Sequence, residues 1–310
     1  MKVLVTGATG FVGSCLARRL VETGHEVHVF SRQGSDRWRL AGLEGRLADH
    51  RVDLRDGAAV MAAVAMIRPA AICHLATHGG FAFQQETSVI LESNFLGTVN
   101  LLRACEKVGF DSFINTGSSS EYGVKGAPMR EGDLLEPVGD YGVSKAAATL
   151  FCRSEALQKG LPVVTLRLFS PYGPWDDPKR FIPYAIKSLL RGEPPQLSNP
   201  ASVRDYVYID DVLDLYLKLI GEPRCGGEVF NAASGRQSSI GEVFSLLAEI
   251  IDPGVTPVWG AVGSRRPEPP SWVADIGRAE RELGWKPAVS LRDGLAKTSG
   301  WMREHLAYYP

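Results

Sequence analysis

The chain has 310 residues and a mass of 33.7 kDa, enough to bury roughly three quarters of its unfolded surface in one large domain or two lobes sharing a core. With 45% hydrophobic and 22% charged residues its composition is globular, which excludes disorder as the main state. Its 34 Lys and Arg against 35 Asp and Glu give a formal net charge of -1, with no basic excess to meet a phosphate backbone, so nucleic-acid binding is not expected.

The opening MKVLVTGATG begins a strand at once and carries no basic n-region or cleavage site. The longest apolar run, Ala58–Ile67, is far short of the ~20 residues that cross a bilayer. A soluble, cytoplasmic protein with no membrane partner is expected. Cys15, Cys73, Cys105, Cys152 and Cys225 are scattered without a Cys-x-x-Cys pair and read as reduced thiols. The histidines show no ligand spacing, so no metal is expected.

Runs of strand length rich in Val, Ile and Phe lie at Lys2–Thr6, Glu26–Ser31, Ala48–Val52, Ala71–Leu75, Ser112–Thr116 and Pro162–Leu168. They alternate with helical periodicity at Phe11–Thr23, Ala58–Ile67, Val89–Val108 and Asp140–Lys159. This alternation predicts an α/β fold, a Rossmann-type doubly wound parallel sheet covered on both faces. Asp56 and Asp140 stand where N-caps belong. After Leu168 prolines cluster at positions 171–183, 194–200 and 267–270, which predicts loops and short helices rather than a regular sheet. Helical patterns return at Ile182–Arg191, Asp210–Ile220, Ile240–Ile251 and Ile276–Leu283. The expected division is a dinucleotide-binding domain over 1–168 and a smaller substrate-binding lobe over 169–310, some segments of which return to the first sheet.

Thr6-Gly7-Ala8-Thr9-Gly10-Phe11-Val12-Gly13 follows the first strand and opens the first helix. Glycines at this spacing let the backbone turn sharply and approach a pyrophosphate at the helix amino end. The second strand ends Phe30-Ser31-Arg32, with no acid before Asp36. An acid there would accept a ribose hydroxyl of NAD, whereas a hydroxyl beside a guanidinium suits the extra phosphate of NADP. NADP(H) is therefore preferred and NAD(H) is the alternative; Arg32 as an ordinary surface charge is the bland reading. Asp53 stands where a carboxylate accepts from an adenine amino group, or is a turn residue.

Tyr141-Gly142-Val143-Ser144-Lys145 places a phenol and an ammonium one helical turn apart on the same face. Such an ammonium lowers a phenol's pKa from about 10 toward a value useful for proton transfer.

At these motifs the chain resembles the extended short-chain dehydrogenase/reductase family, in its nucleotide-sugar epimerase/dehydratase/reductase branch. The resemblance runs nearly the whole length. It includes HLAT (His74–Thr77), NFLGTVNLL (Asn94–Leu102), TGSSSEYG (Thr116–Gly123), LRLFSPYGP (Leu166–Pro174), SVRDYVYIDDV (Ser202–Val212) and LGWKP with Trp301. It implies Tyr141 as proton donor or acceptor, Lys145 as its pKa partner and ribose ligand, and Ser118 as the hydroxyl that orients the sugar oxygen. It also implies a cofactor lined by Gly7, Thr9, Gly10, Phe11, Val12, Gly13, Asp53, Leu54, Leu75, Ala76, Thr77 and Asn94. Arg204 and Arg266 match arginines that bind a nucleotide-diphosphate sugar; for Arg204, pairing with Asp205 or Asp210 is the structural alternative. The two long helices match those that pair across a twofold axis, which implies a homodimer through a four-helix bundle.

Dehydrating members of the branch carry an Asp-Glu pair or a lone Glu where this chain has Ser119 and Ser120, so loss of water is disfavoured. A one-residue shift would bring Glu121 into play. Ser-Ser-Glu-Tyr-Gly also looks like the run of 4-keto-6-deoxyhexose reductases, which consume NADPH. The leading expectation is reduction of a keto carbon on a nucleotide-linked sugar; the alternatives are an epimerase with retained NAD and a non-catalytic NADP-binding sensor. Ser119, Ser120 and His78 are expected near the sugar, although a lone histidine is more often a polar loop residue. Ser170 replaces an Asn that contacts substrate phosphate in many relatives.

Overall fold

The computed structural model describes residues 1–80, 83–222, 224, 226–262 and 269–309. In chain order β1 (Lys2–Thr6), α1 (Phe11–Glu22), β2 (Glu26–Ser31), β3 (Ala48–Arg51), α2 (Gly57–Ile67) and β4 (Ala71–His74) come first. A long helical stretch follows as α3 (Thr87–Leu91), a π turn (Glu92–Leu96) and α4 (Gly97–Val108). Then come β5 (Ser112–Ser118), α5 (Gly139–Lys159), β6 (Val163–Leu168), β7 (Ser170–Tyr172), α6 (Phe181–Leu190), β8 (Gln196–Leu197) and β9 (Val203–Tyr208). The chain closes with α7 (Ile209–Gly221), β10 (Glu228–Ala232), β11 (Gln237–Ser239), α8 (Ile240–Ile251), β12 (Val258–Trp259), α9 (Gly277–Leu283) and α10 (Leu291–Glu304).

Seven strands form one sheet in the order β10-β6-β5-β4-β1-β2-β3, and every neighbouring pair from β6 to β3 is parallel. This is the expected doubly wound arrangement. Its strands are buried on both faces, which is why they read as continuous apolar runs. Leu4, Ile72, Phe113 and Val163 pack with Val60, Val64 and Ile67 of α2, Leu101 and Cys105 of α4, and Cys152 and Ala156 of α5. Each such aliphatic side chain contributes roughly 1.5–3 kcal/mol by leaving water. The winding direction reverses between β1 and β4, and ligands of open α/β sheets bind outside the strand ends at such a point.

The chain divides into two compact units. The first comprises residues 1–123, 131–168 and 213–230, and the second 124–130, 169–212 and 231 onward. In the second, β7, β9 and β11 form a three-stranded sheet, and β8 pairs with β12. The proline-rich composition led us to expect no regular sheet here, and the structure corrects that. Pro171 is tolerated because β7 is an edge strand, where a missing N–H breaks no ladder. The α10 helix was also missed. Its sequence is polar and holds two glycines, but Gly294 is required because a Cβ there would strike the Tyr172 hydroxyl. Asp205 stabilises this unit from within. Its buried carboxylate accepts from Ser234 N (2.7 Å), Ser234 Oγ (2.6 Å), Gly235 N (3.0 Å) and Ala274 N (3.1 Å). Asp211 accepts from Ala288 N at 2.8 Å and Val289 N at 3.2 Å, and Trp285 Nε1 donates to the Asp211 carbonyl at 3.0 Å. These bonds join the SVRDYVYIDDV and LGWKP motifs.

Cys15, Cys73, Cys105 and Cys152 are buried and in no disulfide among the described residues, while Cys225 lies outside the described residues. Burial pushes the Cys105 and Cys152 thiols up to about 12, so they pack as small apolar groups. Among the described residues no helix is long and apolar enough to cross a membrane, and no cluster of three His, Cys, Asp or Glu could hold a metal.

Asp56 caps α2 as expected, its carboxylate accepting from Ala59 N at 3.0 Å. Asp140 does not cap α5. The N-cap there is Val138, and Asp140 lies in the first turn, where it accepts from Thr87 Oγ1 at 2.5 Å. Replacing Asp56 by Ala should therefore cost about 1 kcal/mol of unfolding free energy in urea titration, with an unchanged denaturant slope.

Candidate active site

The glycine turn closes at the end of β1. Gly7 adopts φ +73°, and a Cβ there would come within 2.6 Å of Ala76 N, so only glycine lets β1 and the chain after β4 approach. Gly13 packs as tightly, since a Cβ on it would strike the Gly7 carbonyl. At Gly10 a Cβ would meet only the Gly7 carbonyl, at 3.2 Å. The α1 helix starts beside it with no side-chain cap and no acid in its first turn. An uncapped helix amino end beside a glycine turn fits the pyrophosphate of a dinucleotide.

Strand β5 ends on Ser118, and a single 3-10 turn, Ser119–Glu121, follows. The turn is locked by Glu121. One carboxylate oxygen accepts from Ser118 N at 2.8 Å, and the other accepts from Arg167 Nε of β6 at 2.8 Å. Glu121 is 0% and Arg167 3% exposed. Arg167 also lies over the Tyr122 ring, 4.6 Å from its centroid, and donates to the Glu131 carbonyl at 3.3 Å. Ser118 Oγ accepts from Ser120 N at 3.1 Å, which leaves its own proton available to a ligand.

Helix α5 lies directly against this turn: a Cβ on Gly142 would come within 2.8 Å of the Ser120 carbonyl. That contact brings Tyr141 and Lys145, one turn apart on α5, to the Ser118 turn. Lys145 is 3% exposed, and among the described residues its ammonium has no hydrogen-bond partner. Burial lowers its pKa, against which the nearby Glu121 carboxylate acts. A buried, unspent ammonium is costly unless a ligand completes it, and the hydroxyls of a cofactor ribose fit that need.

Behind these groups stands Asn94, at the centre of the π turn that interrupts the single helix expected over residues 89–108. Its Oδ1 accepts from His78 N (2.7 Å) and Thr77 Oγ1 (3.2 Å). Its Nδ2 donates to the His78 carbonyl (2.8 Å) and to Ser144 Oγ (2.9 Å). These four bonds use the whole amide, so Asn94 braces the loop after β4 against α5.

His74 completes the brace. Ala76 N donates to Thr6 Oγ1 (3.2 Å), Thr6 Oγ1 to His74 Nδ1 (2.7 Å), His74 Nε2 to Thr98 Oγ1 (2.8 Å), and Thr98 Oγ1 to the Asn94 carbonyl (2.6 Å). Each hydroxyl has one proton to give, so the run fixes His74 as its neutral Nε2–H tautomer. Burial, with Lys145 adding to it, lowers the His74 pKa to about 3.

The remaining expected residues divide. Leu54 and Leu75 are buried, while Thr9, Phe11, Val12 and Ala76 are half-buried beside the turn. Asp53 is held by Arg55 through bonds of 2.8–3.2 Å, which keep its carboxyl below the usual range. Ser119 is buried and Ser120 half-buried. Among the described residues the buried His78 Nδ1 has no hydrogen-bond partner, and burial, then Arg32 and Arg55, lower its pKa. Ser31 is buried and Arg32 exposed. In the second unit Ser170 begins β7 and Arg204 sits in β9, where it donates to the Val203 carbonyl at 2.6 Å and lies 5.7 Å from the Trp272 ring centroid. Asp205, weighed as a partner for Arg204, holds backbone N–H groups instead. Arg266 lies outside the described residues. The sequence reading did not foresee the roles of His74, Thr98 and Arg167; the HLAT motif was the available signal for His74.

Residues 3–233 match the model of the NAD dependent epimerase/dehydratase family. The chain belongs to that family. It is similar to UDP-glucose 4-epimerase of Thermotoga maritima, solved with UDP-glucose: 29% identity, TM-score 0.91, 99% of this chain and 100% of that one. It is 30% identical to dTDP-glucose 4,6-dehydratase of Streptomyces griseus over 99% of this chain and 95% of that protein. UDP-glucose 4-epimerase of Thermus thermophilus, solved with NAD, aligns at 28% identity and TM-score 0.87 over 98% and 99% of the two chains. The chain is thus an enzyme with the fold of the extended short-chain dehydrogenase/reductases.

Two measurements test this geometry. Removing the carboxylate with Glu121→Gln leaves Arg167 buried and unpaired and should cost roughly 3–5 kcal/mol in chemical denaturation; a catalytic acid would lose turnover with its stability intact. For His74 the folded pKa lies below the unfolded value of about 6.5, so between there and pH 3 the unfolded chain binds the extra proton. Stability should fall with acidification by up to about 1.4 kcal/mol per pH unit from this group. Unfolding titrations from pH 7 to 4.5 should show a slope about one proton shallower in His74→Gln.

Proposed function

We propose that the enzyme interconverts a hydroxyl and a ketone on the sugar of a nucleotide-diphosphate sugar without eliminating water, and runs as a reductase of a keto sugar. The observation that carries this reading is the state of residues 119–121. Two of them are serines, and Glu121 is sealed against Arg167 and Ser118 N, so no carboxylate of this turn is free to move a proton to or from the ring. What remains is Ser118, Tyr141 and Lys145, a set suited to moving one proton at one oxygen.

A bound nicotinamide cofactor supplies the hydride that such a reduction needs. Tyr141 then gives its phenol proton to the sugar oxygen as negative charge develops there. Ser118 keeps its proton and donates a hydrogen bond to the same oxygen, while Lys145 stabilises the phenolate and would hold the cofactor ribose. Asn94, through Ser144 and the His78 backbone, keeps the Tyr141 turn in register with the loop after β4. Ser170, Arg204 and Arg266 are assigned to the phosphates of the sugar nucleotide, and residues 1–168 to the cofactor. Leu91 and Leu96, with Val143, Leu150 and Leu157 spaced by sevens along α5, are exposed; we assign this face to a second copy of the chain. Buried cysteines in no disulfide among the described residues accord with a cytoplasmic setting.

A second reading, epimerisation with a retained cofactor, is favoured by the close likeness to UDP-glucose 4-epimerase. It uses the same residues and differs in bookkeeping of the cofactor. Incubation with a nucleotide-linked 4-keto-6-deoxyhexose should oxidise one NADPH per sugar reduced, read at 340 nm. Inversion of UDP-glucose with no net loss of reduced cofactor would select the epimerase and sink the reductase. Tyr141→Phe should lower kcat by roughly 10²–10⁴-fold while leaving cofactor affinity within about twofold on the same principle; undiminished turnover would overturn the assignment of Tyr141.

A further inference from the structure

Among the described residues other than glycine, Arg68 and Trp175 have a left-handed backbone. Arg68, at φ +50°, ends α2, a place where such a residue is common. Trp175, at φ +70°, ends no helix, and a bulky side chain at positive φ is strained. It lies in the second unit, in the turn after β7. Asp176 N donates to the Gly173 carbonyl at 3.3 Å, so Pro174 and Trp175 are the two central residues of a tight turn. Proline followed by a positive φ is the pattern of a type II turn, whose third place ordinarily goes to glycine or asparagine. A tryptophan there needs outside contacts to hold it.

Those contacts come from the end of the chain, within the same unit. The Trp175 ring packs on Trp301 of α10, with centroids 4.9 Å apart, and on Tyr308 at 5.3 Å. His305 stacks flat on Trp301 at 4.3 Å and 6°, and lies nearly parallel to Tyr308 at 6.0 Å and 14°. Its Nδ1 donates to the Trp301 carbonyl at 2.9 Å, which fixes imidazole over indole. The other end of α10 grips β7 itself: Tyr172 Oη donates to the Leu291 carbonyl at 3.2 Å, in the space that Gly294 leaves. One helix therefore holds both the last residue of β7 and the turn that follows. Strand β7 pairs with β9, Ser170 opposite Tyr206, so Ser170 and Arg204 ride on neighbouring strands of this clamped sheet.

We propose that Trp175 and the stack of Trp301, His305 and Tyr308 form a clamp that positions β7 and its turn for the sugar nucleotide. Trp175 is a positioning residue, acting through the backbone of the turn. The inference rests on the assignment of Ser170 and Arg204 to the phosphates of that substrate. Ring contacts offset an unfavourable backbone, so loss of the stack lets Trp175 leave the left-handed region and shifts the turn. The dinucleotide, assigned to residues 1–168, is left unaffected.

The test uses the full chain, stripped of nucleotide. Folded variants are titrated calorimetrically with UDP-glucose, dTDP-glucose, NAD⁺ and NADP⁺, and amide hydrogen exchange is followed over residues 173–180. Tyr308→Ala and Trp175→Ala should each weaken the sugar nucleotide by roughly tenfold and the dinucleotides by less than about twofold. Exchange in the turn should quicken by at least about fivefold. Trp175→Gly loses the same ring but suits a positive φ, so it should bind the sugar nucleotide more tightly than Trp175→Ala. Tyr308→Phe keeps the ring and should match the wild type. Tyr308 is 38% exposed, so its two variants carry the test should Trp175→Ala fail to fold. Unchanged sugar-nucleotide affinity in Tyr308→Ala, equal losses of sugar nucleotide and dinucleotide, or Trp175→Gly binding no better than Trp175→Ala would overturn the clamp and leave the substrate reading standing. Should the wild type bind neither sugar nucleotide, the assignment of Ser170 and Arg204 falls. The exchange rates then decide the clamp, and unaltered exchange in Tyr308→Ala overturns it.

Discussion

The buried pair of Glu121 and Arg167 is the constraint on which the site depends. Neither side chain is open to water, so each charge is tolerable only because the other is 2.8 Å away. Its geometric effect is to hold the end of β5 and the following turn in one conformation, with Ser118 Oγ left free to donate. Its chemical effect is subtractive, since the one acid in the run Ser-Ser-Glu is removed from solvent and from any substrate. Gly117 belongs to the same arrangement, because a Cβ there would come within 2.5 Å of Glu121 Oε1.

A second layer of order lies between the strand ends and α5. The run from Ala76 N through Thr6, His74 and Thr98 to the Asn94 carbonyl joins β1, β4 and the π turn in one direction of donation. Asn94 then spends its side chain on the loop after β4 and on Ser144. A widened turn is often found at functional positions, and here it sets Asn94 where one amide can span both elements. Helix α5 is thereby referenced to the glycine turn through neutral groups, and among the described residues Lys145 keeps no hydrogen-bond partner.

Much of this was legible in the sequence because burial on both faces writes a continuous apolar run. All six strands of the first half were found to within two residues, and their parallel winding followed from the alternation with helices. Gly7 and Gly13 were legible for a similar reason, since close backbone approach admits no other residue there. Less visible were features decided by tertiary packing. The β7–β9–β11 sheet was hidden by proline at a tolerant edge, α10 by a polar sequence with two glycines, of which Gly294 makes room for Tyr172, and Asp140 imitated a cap while serving Thr87. Within the site, Tyr141 and Lys145 were readable from helical spacing, but the fate of Glu121 depended on an arginine 46 positions later, a distance no local pattern reports. Asn94 was read as a cofactor residue, and its bonds to Thr77, the His78 backbone and Ser144 show a bracing role that no local pattern reports.

The sealed turn also limits how this scaffold can be retooled. Ser119 is almost wholly enclosed, so an aspartate installed there would lose its hydration before gaining any substrate to act on. Ser120 is the more accessible neighbour, and a glutamate at that place would face a turn whose backbone is already committed to Ser118. An acid placed at either position would therefore meet a turn already locked by the bonds of Glu121 to Ser118 N and Arg167.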